Sequence, residues 1–121
     1  MRNMSFALTT MQVQRQAKTV TRRLGWARAK AGQVVQPVEK GQGLKKGEHV
    51  RLIGHPVRFT SVRREPLRAM YDAAYGLREA RSEGFPDMNG KQFVHMFCEH
   101  NGCTPDTVVT RIEFEYAQET T

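Results

Sequence analysis

Apolar and polar residues alternate most strictly near the end of the chain. Val108, Thr110, Ile112, Phe114 and Tyr116 fall on one face, and Val109, Arg111, Glu113 and Glu115 on the other. A period of two predicts a half-buried strand over residues 108–116. The same period, more weakly, marks strands at Ser5 to Thr9, at Lys18 to Leu24 and at Gln33 to Lys40. In the second of these, Thr19, Thr21 and Arg23 share one face, opposite Lys18, Val20 and Arg22. Pro37 cannot donate to a ladder, so the third is expected at a sheet edge or to carry a bulge. Glu48 to Arg64 is the richest β stretch, and Gly54-His55-Pro56 divides it into two short antiparallel strands.

Helical signals fill the gaps. Thr10 can cap a helix over Met11 to Ala17, and Ala27 to Ala31 reads as a helical turn closed by Gly32. Pro66 suits the first position of a helix reaching Tyr75, with Gly76 as its stop. A second piece, Leu77 to Ser82, stops at Gly84. The strongest helix runs from Gly90 to His100, capped by Asn89 or Asp87. Its apolar face is Phe93, Val94, Met96 and Phe97, and Asn101-Gly102 ends it. Gly41 to Gly47 is a loop and Gln118 to Thr121 a tail. The order is that of an α+β protein. Many β segments in 121 residues must hide their edges, so the expected architecture is a small, partly open β-barrel with inserted and flanking helices. Neither a repeat nor a linker divides the chain, so residues 1–121 form one domain.

Composition removes several classes. With 39% hydrophobic and 26% charged residues the chain is neither collagen-like nor wholly disordered. No apolar run approaches ~18 residues, and the start MRNMSFALTT lacks a signal-peptide core. A cytoplasmic protein with no membrane contact is expected. The only cysteines, Cys98 and Cys103, are too few for a disulfide framework. With His95 and His100 they match no standard zinc spacing, and the GQG of the glycine loop lacks the rest of a phosphate-cradling motif. No metal or cofactor is expected.

Charge changes the picture more. The net charge is +7, and thirteen of the nineteen cations are Arg. Residues 1–68 carry fifteen basic and three acidic side chains; residues 69–121 carry four and nine. That asymmetry predicts a positive face and suits a polyanionic partner. The densest polar run is Lys18-Thr19-Val20-Thr21-Arg22-Arg23, followed closely by Trp26. A Lys beside hydroxyls can activate a hydroxyl or hold a phosphate or carbonyl oxygen. The same run also reads as a plain β edge with solvated Arg. Trp26 can stack a base or fill the core, and Tyr71 and Tyr75, four apart, can line a cleft or pack inside.

Taken in order, the K-T-x-T-R-R run (Lys18, Thr19, Thr21, Arg22, Arg23), Leu44-Lys45-Lys46-Gly47-Glu48, Glu83-Gly84-Phe85 and Ile112-Glu113-Phe114 resemble the ASCH family of the PUA-like superfamily. The likeness is to its small stand-alone bacterial and phage members. It implies a module that binds RNA, a nucleoside or a nucleotide beside the barrel, through Lys18, Thr19, Arg22, Arg23, Trp26, Lys45 and Lys46. It also implies an alternative, since some members hydrolyse N4-acetylcytidine and others are ribonucleases. The catalytic group carried over would be Lys18, Thr21 and Glu83. A third class, a phage-type inhibitor or interaction protein, follows only from the phage-like character. The oligomeric state stays open.

Overall fold

In a computed structural model, which describes residues 1–41 and 44–117, the alternating C-terminal segment is a strand over Val108–Tyr116 (β5). It lies between two antiparallel neighbours, β2 (Val20–Arg23) and the long β4 (Val57–Pro66). β3 (Val34–Val38) continues the sheet from β4, and β1 (Arg2–Ser5) pairs parallel to β3. The order is β1-β3-β4-β5-β2. The five-stranded sheet is not closed. It curls so that its ends approach: Phe6, just past β1, meets the Phe114 ring at 5.8 Å, and the Arg23 guanidinium of β2 lies 4.8 Å from the Phe6 ring centre. The result is a small α+β, partly open barrel, as the pattern predicts.

Two apolar clusters use the two faces of β5. Ile112 and Phe114 join Met4, Phe6, Val13, Val35, Ile53, Val57 and Phe59 inside the curl. Val109 faces outward, beneath Leu67, Met70, Ala80, Phe93, Val94 and Phe97. Those residues belong to a 3-10 helix (Leu67–Tyr71), to α2 (Ala73–Ser82) and to α3 (Gly90–Asn101). Both faces of β5 are therefore covered, and the polar Arg111 in its middle is buried against Glu79 of the overlying helix. α3 starts on a capping box between Asn89 and Gln92 and ends on Gly102 in the left-handed region. Among the described residues no helix is long and apolar enough to cross a membrane.

Several expectations are corrected. The first strand lies at residues 2–5, because residues 7–10 turn back: Thr9 N–H and the Thr10 hydroxyl both donate to the Phe6 carbonyl. The helix after it, α1 (Thr10–Gln14), stops short of Ala17 because Gln16 adopts a positive φ of 58°. β3 is interior, not an edge. Pro37 is tolerated because β4 pairs only with Val34 and Val35; beyond them Ile53 N–H donates to the Pro37 carbonyl. Residues 48–56 therefore contribute a single bridge, Leu52 to Val38, rather than a strand. Gln42 and Gly43 of the glycine loop, and the tail at 118–121, lie outside the described residues.

Gly76 is not a stop. The helix expected from Pro66 begins as a 3-10 turn, and its last residues merge with the second piece into α2, with Gly76 inside. A Cβ on Gly76 would overlap the Met70 carbonyl oxygen and lie 2.8 Å from Gly90 Cα. The start of α3 thus packs directly on α2 through two glycines. Ala normally stabilises a helix interior by about 1 kcal/mol over Gly. Here the overlap is with backbone, which cannot move aside. We expect Gly76→Ala to lower the unfolding free energy by about 2 kcal/mol in chemical denaturation, within the range of overpacked cores. A gain in stability would contradict this packing.

Candidate functional site

The site is built where β2 passes the end of α2. β2 brings a cation in from one side. Lys18 lies just before the strand, buried, and its Nζ donates to Glu83 Oε1 and to the Glu83 carbonyl, both at 2.7 Å. Arg22, on the same face four residues on, donates from Nη1 to Glu83 Oε2 at 3.0 Å and from Nη2 to Glu65 (2.7 Å) and Glu79 (2.6 Å). Glu79 also receives two hydrogen bonds from Arg111 on β5. Tyr75 OH donates to Glu65, which Arg63 also reaches.

Glu83 is delivered by the way α2 ends. Gly84 has φ +101°, its N–H bonds to the Arg81 carbonyl, and the Phe85 N–H bonds to the Ala80 carbonyl. This paired closure stops a helix and buries an apolar residue behind it. The Glu83-Gly84-Phe85 run is therefore a helix terminator. It leaves Glu83 facing β2 and turns Phe85 onto Phe93, at 6.0 Å between ring centres.

The ionic environment is strongly perturbed. Burial alone would raise the Glu79 carboxyl, but Arg111 and Arg22 outweigh it and hold it near 2. Glu65 is likewise lowered, against its burial, by Tyr75, Arg22 and Arg63. Burial lowers the Lys18 ammonium more than Glu83 raises it. Arg22 Nε is the one buried side-chain polar atom without a partner among the described residues.

Lys18, Thr21, Arg22, Arg23 and Glu83 all line a cavity of about 230 Å³. Its other wall is apolar: Phe6, Leu8 and Leu24 on the barrel side, Phe85, Phe93, Met96 and Phe97 on the helical side. Thr21 is buried, and its Oγ1 accepts from Arg23 Nε at 3.0 Å. The structure thus brings Lys18, Thr21 and Glu83 to one place. Glu79, Glu65 and Arg111 are members of the charge network that the sequence reading missed. Arg22 is 43 positions from Glu65 and 57 from Glu79, so no local motif could show the network.

The other expected contact residues differ in placement and exposure. The Arg22 guanidinium is enclosed and committed to three carboxylates, so it is not an open phosphate contact. Thr19 lines a separate groove with Arg58 and Tyr116. Trp26, at a positive φ of 62°, is covered by the Arg2 guanidinium at 3.9 Å and meets Phe59 edge-on. Lys45 and Lys46 are exposed. Tyr75 joins the charge network, and Tyr71 packs under the helices. Cys98 and Cys103 sit with their sulfurs 3.8 Å apart, and among the described residues no metal-holding cluster is formed. The basic first half and acidic second half interleave: Lys18 and Arg22 pair with Glu83, Arg58 with Glu115, Arg68 with Asp106. The +12 half is therefore partly neutralised within the fold.

No family model matches the chain, and no curated protein is similar to it. Among solved structures it is similar to protein EF3133 from Enterococcus faecalis V583, described under the family name DUF984. The two are 17% identical with a TM-score of 0.54, over 94% of this chain and 75% of that one. The likeness is one of fold alone.

Glu79 ionises more readily in the folded chain than in the unfolded one. Its contribution to stability is complete above the unfolded carboxyl value of about 4.3 and is lost as pH falls toward about 2. The stability gap between wild type and Glu79→Gln should be widest at neutral pH and close toward pH about 2, in denaturation series across that range. A gap independent of pH would contradict the network.

Proposed function

We propose that the chain is an ASCH-type module that binds RNA or a nucleotide and seats one base-sized group in the cavity beside β2. The observation that carries this reading is the pairing of walls. The K-T-x-T run and the Glu-Gly-Phe turn contribute polar groups, Lys18, Thr21, Arg23 and Glu83, opposite the rings of Phe85, Phe93 and Phe97. Aromatic walls suit a flat base, and the polar groups can read its edge. At about 230 Å³ the cavity falls below the usual 300–1,000 Å³ of drug-sized sites, so it suits one base rather than a stretch of strand. Neighbouring phosphates would be met by exposed cations such as Lys45 and Lys46, which have no carboxylate partner within 4 Å among the described residues.

A second reading, hydrolysis of an acylated nucleoside such as N4-acetylcytidine, has its own support. Thr21 Oγ1 takes a hydrogen bond from Arg23, which leaves its proton to be transferred. Burial disfavours the Lys18 ammonium, so Lys18 can pass its proton to Glu83 across their 2.7 Å contact and, now neutral, take the Thr21 proton as Oγ1 attacks the acyl carbon. The protonated Glu83 can then give its proton to the leaving amine, and water releases the acyl group from Thr21.

Titration of a single-stranded RNA in rising salt tests the first reading. Affinity should fall with a slope of about −0.7 per phosphate contact, and Lys45→Ala with Lys46→Ala should flatten it by about 1.4. No binding at low salt, or binding indifferent to salt, would contradict it. For the second, wild type should release acetate from N4-acetylcytidine and folded Thr21→Val should not. No turnover by wild type would remove it.

A further inference from the structure

Arg23 stands apart from the other cations of the site. Lys18 and Arg22 are balanced by Glu83, Glu65 and Glu79. Among the described residues no carboxylate oxygen lies within 4 Å of Arg23. Two contacts fix its guanidinium: Nε donates to Thr21 Oγ1 at 3.0 Å, and its plane lies over the Phe6 ring at 4.8 Å. Both terminal nitrogens are left without a protein acceptor, at the wall of the cavity. Burial pushes the Arg23 guanidinium down to about 10, so it is still charged at neutral pH. Arg23 is half-buried, and its terminal nitrogens are not enclosed by protein but open at the cavity wall, where an incoming acceptor can reach them.

Among the described residues only Glu83 attracts Arg23, from beyond ion-pair distance. Glu83 is the one carboxylate among the lining residues, and both of its oxygens are already taken, by Lys18 and Arg22. The remaining wall is largely aliphatic and aromatic. We infer that the occupant of this cavity carries a negative charge of its own, a carboxylate or phosphate on a small aromatic or apolar body, with its oxygens on the terminal nitrogens of Arg23. A guanidinium fork gives such an oxyanion two parallel hydrogen bonds. A neutral carbonyl would accept hydrogen bonds but leave the charge uncompensated. The inference rests on the charge of the cavity and not on the nucleic-acid reading. A nucleotide satisfies it through its phosphate, and an aromatic acid through its carboxylate.

Calorimetric titration of the full chain with benzoate, phenyl phosphate and benzamide holds the ring constant and varies the charge. At least one anion should bind about tenfold tighter than benzamide or better, as expected of a charge-assisted pair, and the tighter of the two anions identifies the source. In Arg23→Gln that preference should largely vanish, and in Arg23→Lys, which keeps the charge but not the fork, part of it should remain. If Arg23→Gln does not fold, the wild-type comparison and Arg23→Lys decide. Benzamide binding as tightly as both anions, a preference that survives Arg23→Gln, or no saturable binding of any probe at millimolar concentration would overturn the inference. RNA binding without an anion preference would remove this inference and leave the nucleic-acid reading standing. An anion preference without RNA binding would do the reverse.

Discussion

Three arginines stand side by side on the outer face of the sheet. Arg22 on β2 is the register partner of Arg111 on β5, which is in turn the partner of Arg63 on β4. Like charges directly opposite across strands repel, and Arg22 and Arg111 are buried. The row is stable only because carboxylates are inserted between its members: Glu79 from α2 bridges Arg22 and Arg111, Glu65 bridges Arg22 and Arg63, and Glu83 closes the end with Lys18. The α2 helix is thereby tied to the sheet by charge, while its apolar residues tie it to α3. Such a network contributes less net stability than its short distances suggest, because each ion first loses its water. Its effect is on arrangement. Removing one member leaves the others uncompensated, so the helix has one position on the sheet.

The site follows from that position. Once α2 is registered by Glu79, its terminating turn at Gly84 sets Glu83 against Lys18, and Phe85 against α3. The contact of Gly76 with Gly90 brings α3 close enough for Phe93 and Phe97 to wall the cavity. The curl of the sheet supplies the remaining side, where Phe6 carries Arg23. Fold and site are therefore one construction. The charges that place the helix are also those that line the cavity.

Part of this was legible in the residues. The alternation of Val108 to Tyr116 and the capping signals around Gly90 to Asn101 are local, and both elements appear where the pattern puts them. Lys18, Thr21 and Glu83 were placed together only by the order of motifs, since no local rule joins residues more than sixty positions apart. The errors have a shared cause. Gly76 looks like a helix stop because glycine usually is one, and only the approach of α3 shows that it is a spacing residue. Arg22 looks like a surface contact because arginine usually is exposed, and only the three partner carboxylates, all on other elements, show that it is interior. Tertiary context decided in both cases.

The account's central claim is that Arg22 and Glu83 act as one unit in holding α2 and the site together. A double-mutant cycle on Arg22→Met and Glu83→Gln, read by chemical denaturation at neutral pH, measures that directly. Each single change should cost about 3 kcal/mol or more, because each strands buried charge, and the double change should cost clearly less than their sum. Losses that add to within about 0.5 kcal/mol would show the two residues to be independent and would contradict the account.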